Sequence, residues 1–150
     1  MTVSIEYRLT GTGWSECLIR LNDQRVEITG SYLSDCLAGF AGAALQILDG
    51  AACARFSFDE EPGEYRGIID RSGERLRLRI VEFPELWGDR PDEEGEVLLD
   101  ERCVASDFVA AVRDALQRVL DEHGEDGYRE RWVEHGFPMA QLLALRDRAK

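Results

Sequence analysis

The sequence predicts an α+β fold: a curved antiparallel sheet of about six to seven strands, in the order βββ-α-ββββ-ααα, with helices packed on one side. Three observations lead there. Segments with a two-residue hydrophobic period fall in two consecutive runs, joined by short turn-forming stretches. A single helical-period segment separates those runs, and helical periods fill the last third. No strand–helix alternation occurs, so a doubly wound sheet with its nucleotide crevice is not expected.

The first run opens with Val3, Ile5, Tyr7 and Leu9 alternating with Ser4, Glu6 and Arg8, a strand with one buried face. Gly11-Thr12-Gly13 ends it. Cys17, Ile19 and Leu21 form the second strand, Asn22-Asp23-Gln24 a turn, and Val26 and Ile28 the third strand, stopping near Gly30. Leu33, Leu37, Phe40, Ala41, Ala44, Leu45 and Leu48 then recur at helical spacing. Ser31 or Ser34 is the expected N-cap, Asp35 suits the positive end of the helix, and Gly50 is the expected stop. The opposite face (Cys36, Ala38, Gly39, Gly42, Ala43, Gln46) is small and uncharged. Such a helix is buried on two sides, either by another layer of this chain or by a second copy in a homodimer through helix 35–48.

Ala54, Phe56 and Phe58 resume the alternation, and Glu60-Glu61-Pro62-Gly63 is a turn. Tyr65, Gly67 and Ile69 mark the next strand. After Arg71-Ser72-Gly73-Glu74, Leu76, Leu78 and Ile80 alternate with Arg75, Arg77 and Arg79, with Pro84 at the end of the element. Short turns make these strands antiparallel neighbours. Residues 84 to 96 read as a loop, and Val97, Leu98 and Leu99 as a last strand that Cys103 and Val104 extend. Ser106 and Asp107 open a helix carrying Phe108, Val109, Val112, Ala115, Leu116, Val119 and Leu120, which Gly124 stops. Tyr128, Trp132 and His135 lie on a short helix, and Pro138 begins a terminal helix with Leu142, Leu143 and Leu145. Without repeats, low-complexity tracts or a linker, residues 1–150 are expected to form a single domain.

Composition bounds the function. The 150 residues carry 30 acids and 18 bases, a net charge of −12, which counts against a nucleic-acid binder. The proportions, 44% hydrophobic and 32% charged, are those of a globular chain. No apolar run approaches the ~20 residues of a membrane helix. The bases are arginines apart from Lys150, a bias expected of a GC-rich bacterial genome, and the N-terminus lacks a signal-peptide pattern, so a cytoplasmic location is expected. Cys17, Cys36, Cys53 and Cys103 have no close pairing and no nearby histidine, and read as buried free thiols. The aromatic group Tyr128, Trp132 and Phe137 reads as core packing.

Two constellations remain. Arg75, Arg77 and Arg79 share one strand face. A tight turn over Arg71–Glu74 would set Arg75 opposite Asp70, Arg77 opposite Ile68 and Arg79 opposite Arg66. The last pair is like-charged and calls for an anion, which makes Arg66, Arg77 and Arg79 candidate anion contacts. The second is the acidic stretch Asp89, Asp92, Glu93, Glu94 and Glu96 beside Leu86-Trp87. It lacks the EF-hand order, and Trp87, Asp92, Glu93 and Glu94 together suit contact with a protein partner. His123 and His135 have no evident nucleophile, and no catalytic motif occurs, so no catalytic residue, metal ligand or cofactor is assigned. The expected function is therefore non-catalytic: an acidic protein that binds a basic protein, inhibitor- or immunity-like, with no nucleic-acid or membrane partner. Its compact acidic composition is similar to that of toxin-neutralising immunity proteins, though no family motif is matched. The alternative is a site for a small anionic ligand between sheet and helices, lined by those arginines. Their orientation discriminates the two.

Overall fold

The computed structural model describes residues 3–60, 63–85, 90–132 and 135–148. The fold is α+β, with two antiparallel sheets and three helices among these residues. Strands β1 (Val3–Gly11), β2 (Trp14–Leu21) and β3 (Gln24–Ser31) make a three-stranded meander. Helix α1 (Cys36–Leu48) follows. Strands β4 (Cys53–Asp59), β5 (Glu64–Ser72), β6 (Arg75–Phe83) and β7 (Glu96–Val104) make a four-stranded meander, with a 3₁₀ turn at Asp92–Glu94 ahead of β7. Helices α2 (Ala105–Trp132) and α3 (Met139–Arg148) complete the chain. None of the helices is long and apolar enough to cross a membrane.

The expected single curved sheet is divided in two because β3 and β4 do not pair. The backbone groups of Asp59 that a neighbouring strand would engage are taken by serine side chains. Ser31 donates to the Asp59 carbonyl at 3.0 Å, and the Asp59 N–H donates to Ser34 Oγ at 3.1 Å. Both serines therefore tie the entry of α1 to β4 instead of capping the helix, whose N-cap is Asp35 without a side-chain cap bond. At its other end β3 meets β7: Gln24 Nε2 donates to the Asp100 carbonyl at 3.3 Å, and Asn22 Nδ2 to that of Arg102 at 3.2 Å. The three-stranded sheet thus spans the two edges of the larger one. Asn22 makes this docking possible by taking a left-handed backbone (φ 56°) in the two-residue β2–β3 turn, a conformation asparagine tolerates well.

Alternation works as the sequence predicts. Ile5, Tyr7, Cys17, Ile19, Leu21 and Ile28 face inward from the smaller sheet, and Phe56, Phe58, Leu78, Ile80 and Leu99 from the larger. All belong to one core cluster with residues of the three helices. Phe40 of α1 sits at its middle, stacked on Phe56 (centroids 4.7 Å apart), edge-on to Phe58 and tilted against Phe108, the last two at 6.1 Å each. Helix α1 touches β4, α2 and α3, so this chain itself supplies the second cover for its small-residue face. What stays open on α1 is a short strip, with Gly39 and Gln46 exposed. Gly124 (φ 68°, ψ 173°) breaks the path of α2 at the predicted stop. Beyond it Tyr128 and Trp132 are fully buried, and Phe137 meets Tyr128 edge-on at 5.5 Å, as packing requires.

Two expectations need correcting. Cys53 is exposed while the other three thiols are buried, because it lies on the outward phase of β4 with Arg55 and Ser57. The β5–β6 hairpin closes on the two-residue turn Gly73-Glu74, so that Ser72 pairs with Arg75, because Gly73 takes the left-handed backbone (φ 60°) there. The register is displaced by two residues, which keeps every side chain on its face and changes its partner.

Gly67 has a specific reason to be glycine. It pairs with Phe56 across β4–β5, and a Cβ there would run into the Phe56 ring that Phe40 stacks on. Gly67→Ala is expected to cost about 1–3 kcal/mol by overpacking, read as a melting temperature lowered by about 2–4 °C per kcal/mol. An unchanged melting temperature would mean that Phe56 relaxes freely and is not a fixed part of the core.

Candidate binding surface

The arginines lie on the face of the four-stranded sheet away from α1, out of phase with the core residues of β6. The space between sheet and helices is filled by Phe40, Phe56, Phe58 and Phe108. The arginine ladder therefore belongs to an outer surface. Arg66 and Arg79 are not opposed: Arg66 pairs with Val81, and Arg79 with Ile68. The like-charge conflict expected between them does not arise.

Each of the three candidate arginines is matched by a carboxylate of the chain. Arg66 donates to Glu64 Oε1 at 3.0 and 2.8 Å, to Asp92 Oδ1 at 3.2 Å and to the Arg90 carbonyl at 2.6 Å. Its guanidinium lies 4.0 Å from the Phe83 ring centroid, a cation–π contact. Beneath it Ile68, Val81 and Phe83 form a small apolar cluster on the outer face. Arg55 grips Asp92 from the other side with both terminal nitrogens. Arg77 binds Asp100 through two nitrogens at 2.9 and 2.7 Å, and Arg79 binds Asp70 at 2.9 Å. The hydrogen bonds from Arg55, reinforced by Arg66, hold the Asp92 carboxyl below its ordinary pKa. Those from Arg77 do the same for Asp100.

The candidate residues thus separate by role. Arg66 and Asp92 are brought together, and their contact pins the acidic segment to the sheet. Arg77 and Arg79 stand further along β6, each with its own aspartate. Glu93 and Glu94 are exposed in the 3₁₀ turn, followed by exposed Glu96 and Val97 (55% exposed). None of these three glutamates makes an ion pair among the described residues. Trp87, like Leu86 and Asp89, lies outside the described residues.

Glu96 stands directly across from Glu82 in the β6–β7 pairing, and Tyr65 flanks Glu82 on β5. Two acids opposed across a ladder repel. The Tyr65 hydroxyl registers this: burial first, then Glu60 and Glu82, push its pKa up to about 12. That end of the sheet, where Glu82 and Glu96 are opposed, is therefore negative.

Sequence reasoning missed two exposed aromatics. Trp14 (39% exposed) and Tyr32 (37%) lie around Gly13, whose carbonyl accepts the Tyr32 N–H at 2.9 Å and whose own N–H donates to the Arg131 carbonyl at 2.6 Å. The outward phase of Trp14, shared with Glu16 and Arg20 on β2, was the available clue.

No protein-family description and no curated protein matches this sequence. Among solved structures, a chain of the CdiA-CT/CdiI toxin and immunity complex from Enterobacter cloacae is similar, with a TM-score of 0.53 and 9% identity. The match covers 77% of this chain and 99% of that one. At such low identity the likeness is one of fold.

Two titration experiments test the electrostatics. The lowered pKa of Asp92 means its contribution to stability is complete above the unfolded carboxylate value, ~3.9, and is lost as pH falls through the depressed one. Asp92→Asn is expected to destabilise the protein at pH 7 by about 0.5–1 kcal/mol, since Arg55 is half exposed, and to approach the parent as pH falls through the depressed value. Equal melting curves at pH 7 would show that the clasp adds nothing. Asp35 behaves oppositely. Burial raises its pKa despite His135 Nδ1 at 3.7 Å. Stability is therefore lost as pH rises through the raised value. Asp35→Asn, also a good N-cap, is expected to raise the melting temperature at pH 7, the gain vanishing near pH 3. A loss at pH 7 would show that the His135 contact outweighs burial.

Proposed function

We propose that this protein is a non-catalytic binder of another protein, that the partner is basic, and that the pairing is inhibitor- or immunity-like, formed in a bacterial cytoplasm. The observation that carries this is the negative end of the four-stranded sheet. Glu93, Glu94 and Glu96 are exposed and form no ion pair among the described residues, beside the opposed Glu82, while Asp92 is spent in holding the segment in place. Unpaired acids crowded at one end are a local cost that a cationic surface relieves, and they steer such a surface during encounter. Exposed Val97 supplies apolar contact, and Trp87 in the same connection is the aromatic anchor of this interface. The fold likeness to a chain of a toxin and immunity complex agrees with protein binding. The function takes residues 1–150 as one domain and needs no cofactor or metal. A homodimer through helix 35–48 is not part of it, since α1 is covered by α2, α3 and β4.

The test is capture of a stoichiometric partner from the native host, followed by binding kinetics. The partner is expected to carry an excess of Lys and Arg. The Glu93→Gln/Glu94→Gln/Glu96→Gln triple variant is expected to associate about tenfold more slowly and to lose most of the salt dependence, with dissociation changed less. For the immunity role, producing the partner alone should arrest growth and co-producing this chain should restore it. An acidic partner, or a triple variant that binds as the parent does, would sink the proposal. A basic partner harmless to growth would keep the binding and remove the immunity.

A further inference from the structure

At the opposite end of the same sheet the charge reverses. An open depression of about 360 Å³ is lined by Asp70, Arg71, Ser72, Arg75, Leu76, Arg77 and Arg102. We infer that this depression, built on Arg75, Arg77 and Arg102, is a binding site for the oxyanion of a small ligand, a phosphate or a carboxylate. This rests on different residues from the partner-binding surface and does not depend on it.

The register carries the inference. Arg77 lies directly across from Arg102 in the β6–β7 pairing, and Arg75 is two residues along from Arg77 on the same face. Directly opposed residues have Cβ atoms about 5 Å apart, and residues two apart along a strand are about 6.6 Å apart. Three guanidinium groups thus leave the sheet within one small area. Opposed like charges are unfavourable, and the chain's carboxylates relieve only part of this. Asp100 engages Arg77 with both oxygens, and Asp70, on the rim, is engaged by Arg79. Arg71 is held by the Gly73 and Ile47 carbonyls and by Glu74. Arg75 and Arg102 are exposed and form no ion pair among the described residues, Asp100 reaching Arg102 only at longer range. Ser72, paired with Arg75, adds a hydroxyl.

An oxyanion seated between Arg75 and Arg102 would relieve the repulsion and accept the forked hydrogen bonds that guanidinium groups offer to phosphate and carboxylate. The net charge of −12 does not prevent this. At physiological salt, charges more than about 8 Å away are largely screened, so the local cations decide. The sequence pointed to an anion at Arg66, Arg77 and Arg79. The structure moves it to the end of the strand where Arg75 and Arg102 form no ion pair among the described residues.

The experiment is thermal unfolding of the full chain at pH 7 with inorganic phosphate or citrate, each against sodium chloride at equal ionic strength. Amide chemical-shift mapping accompanies it. A saturable rise of about 2–4 °C is expected, with shifts confined to residues 71–77 and 100–104. Arg75→Gln/Arg102→Gln should abolish the rise. Arg8→Gln, which breaks the Glu16 pair on the other sheet, should keep it. A response to phosphate alone assigns a phosphoryl ligand, one to citrate alone a carboxylate ligand, and one to both a general oxyanion site. No rise above chloride, a rise that survives the double variant, or shifts elsewhere would overturn the inference.

Discussion

The fold depends on how Phe40 is packed. It is the residue at which α1, the four-stranded sheet and α2 meet, stacked on Phe56 and flanked by Phe58 and Phe108. Aromatic side chains bury more apolar area than any others, and such contacts are geometrically specific. Their arrangement explains several otherwise separate features. Gly67 lacks a side chain because Phe56 lies over it. Ser31 and Ser34 bond to Asp59 because α1 must enter the core close to the end of β4. That engagement occupies the backbone at the end of β4, and the strands divide into two sheets. With its inner side filled, the larger sheet carries its polar chemistry on the outer face.

That outer face is stable because most of its charges are matched within the chain. Exposed ion pairs contribute little individually. Here they do something more specific than add stability. Arg55 and Arg66 converge on Asp92, and Arg66 also covers Phe83, so one arginine both shields a small apolar cluster and fixes the segment that presents Glu93 and Glu94. A rigid presentation lowers the ordering cost a binding partner would otherwise meet. Arg66, which the sequence offered as an anion contact, is engaged by Glu64 and Asp92 of the chain itself.

Much of the fold was legible because the hydrophobic period is regular. Every strand and helix was anticipated near its place, and the faces of β1, β2, β4 and β6 followed from alternation alone. What was not legible depended on contacts distant in sequence. The division into two sheets turns on Ser31 and Ser34 preferring Asp59 to a helix cap, and nothing within a few residues of either serine signals it. The site was legible by face and not by partner. A two-residue shift at Gly73 left Arg75, Arg77 and Arg79 pointing outward and changed what each one meets. Asp100, which satisfies Arg77, lies on a strand whose polar half has no apolar pattern to reveal it.

The corrected register also gives the sheet a direction. Along β6 the outward arginines occupy the hairpin end, and Glu82 stands near the other, on the opposite phase of the strand and opposed by Glu96. Arg75 and Glu82 are seven residues apart, a separation of about 23 Å at ~3.3 Å per residue. That exceeds the ~8 Å over which exposed charges act at physiological salt. The two ends therefore behave as independent charged surfaces, and the net charge of −12 describes neither of them. A cationic surface approaching the outer face meets the Glu93–Glu94 turn, held there by Arg55 and Arg66, at one end and Arg75 and Arg102 at the other, so the field orients as well as attracts. Bulk acidity, a property shared by many proteins, is a poor guide to binding. The uneven placement of matched and unmatched charges on one rigid sheet is a better one, because it ties specific residues to the sign of what each can hold.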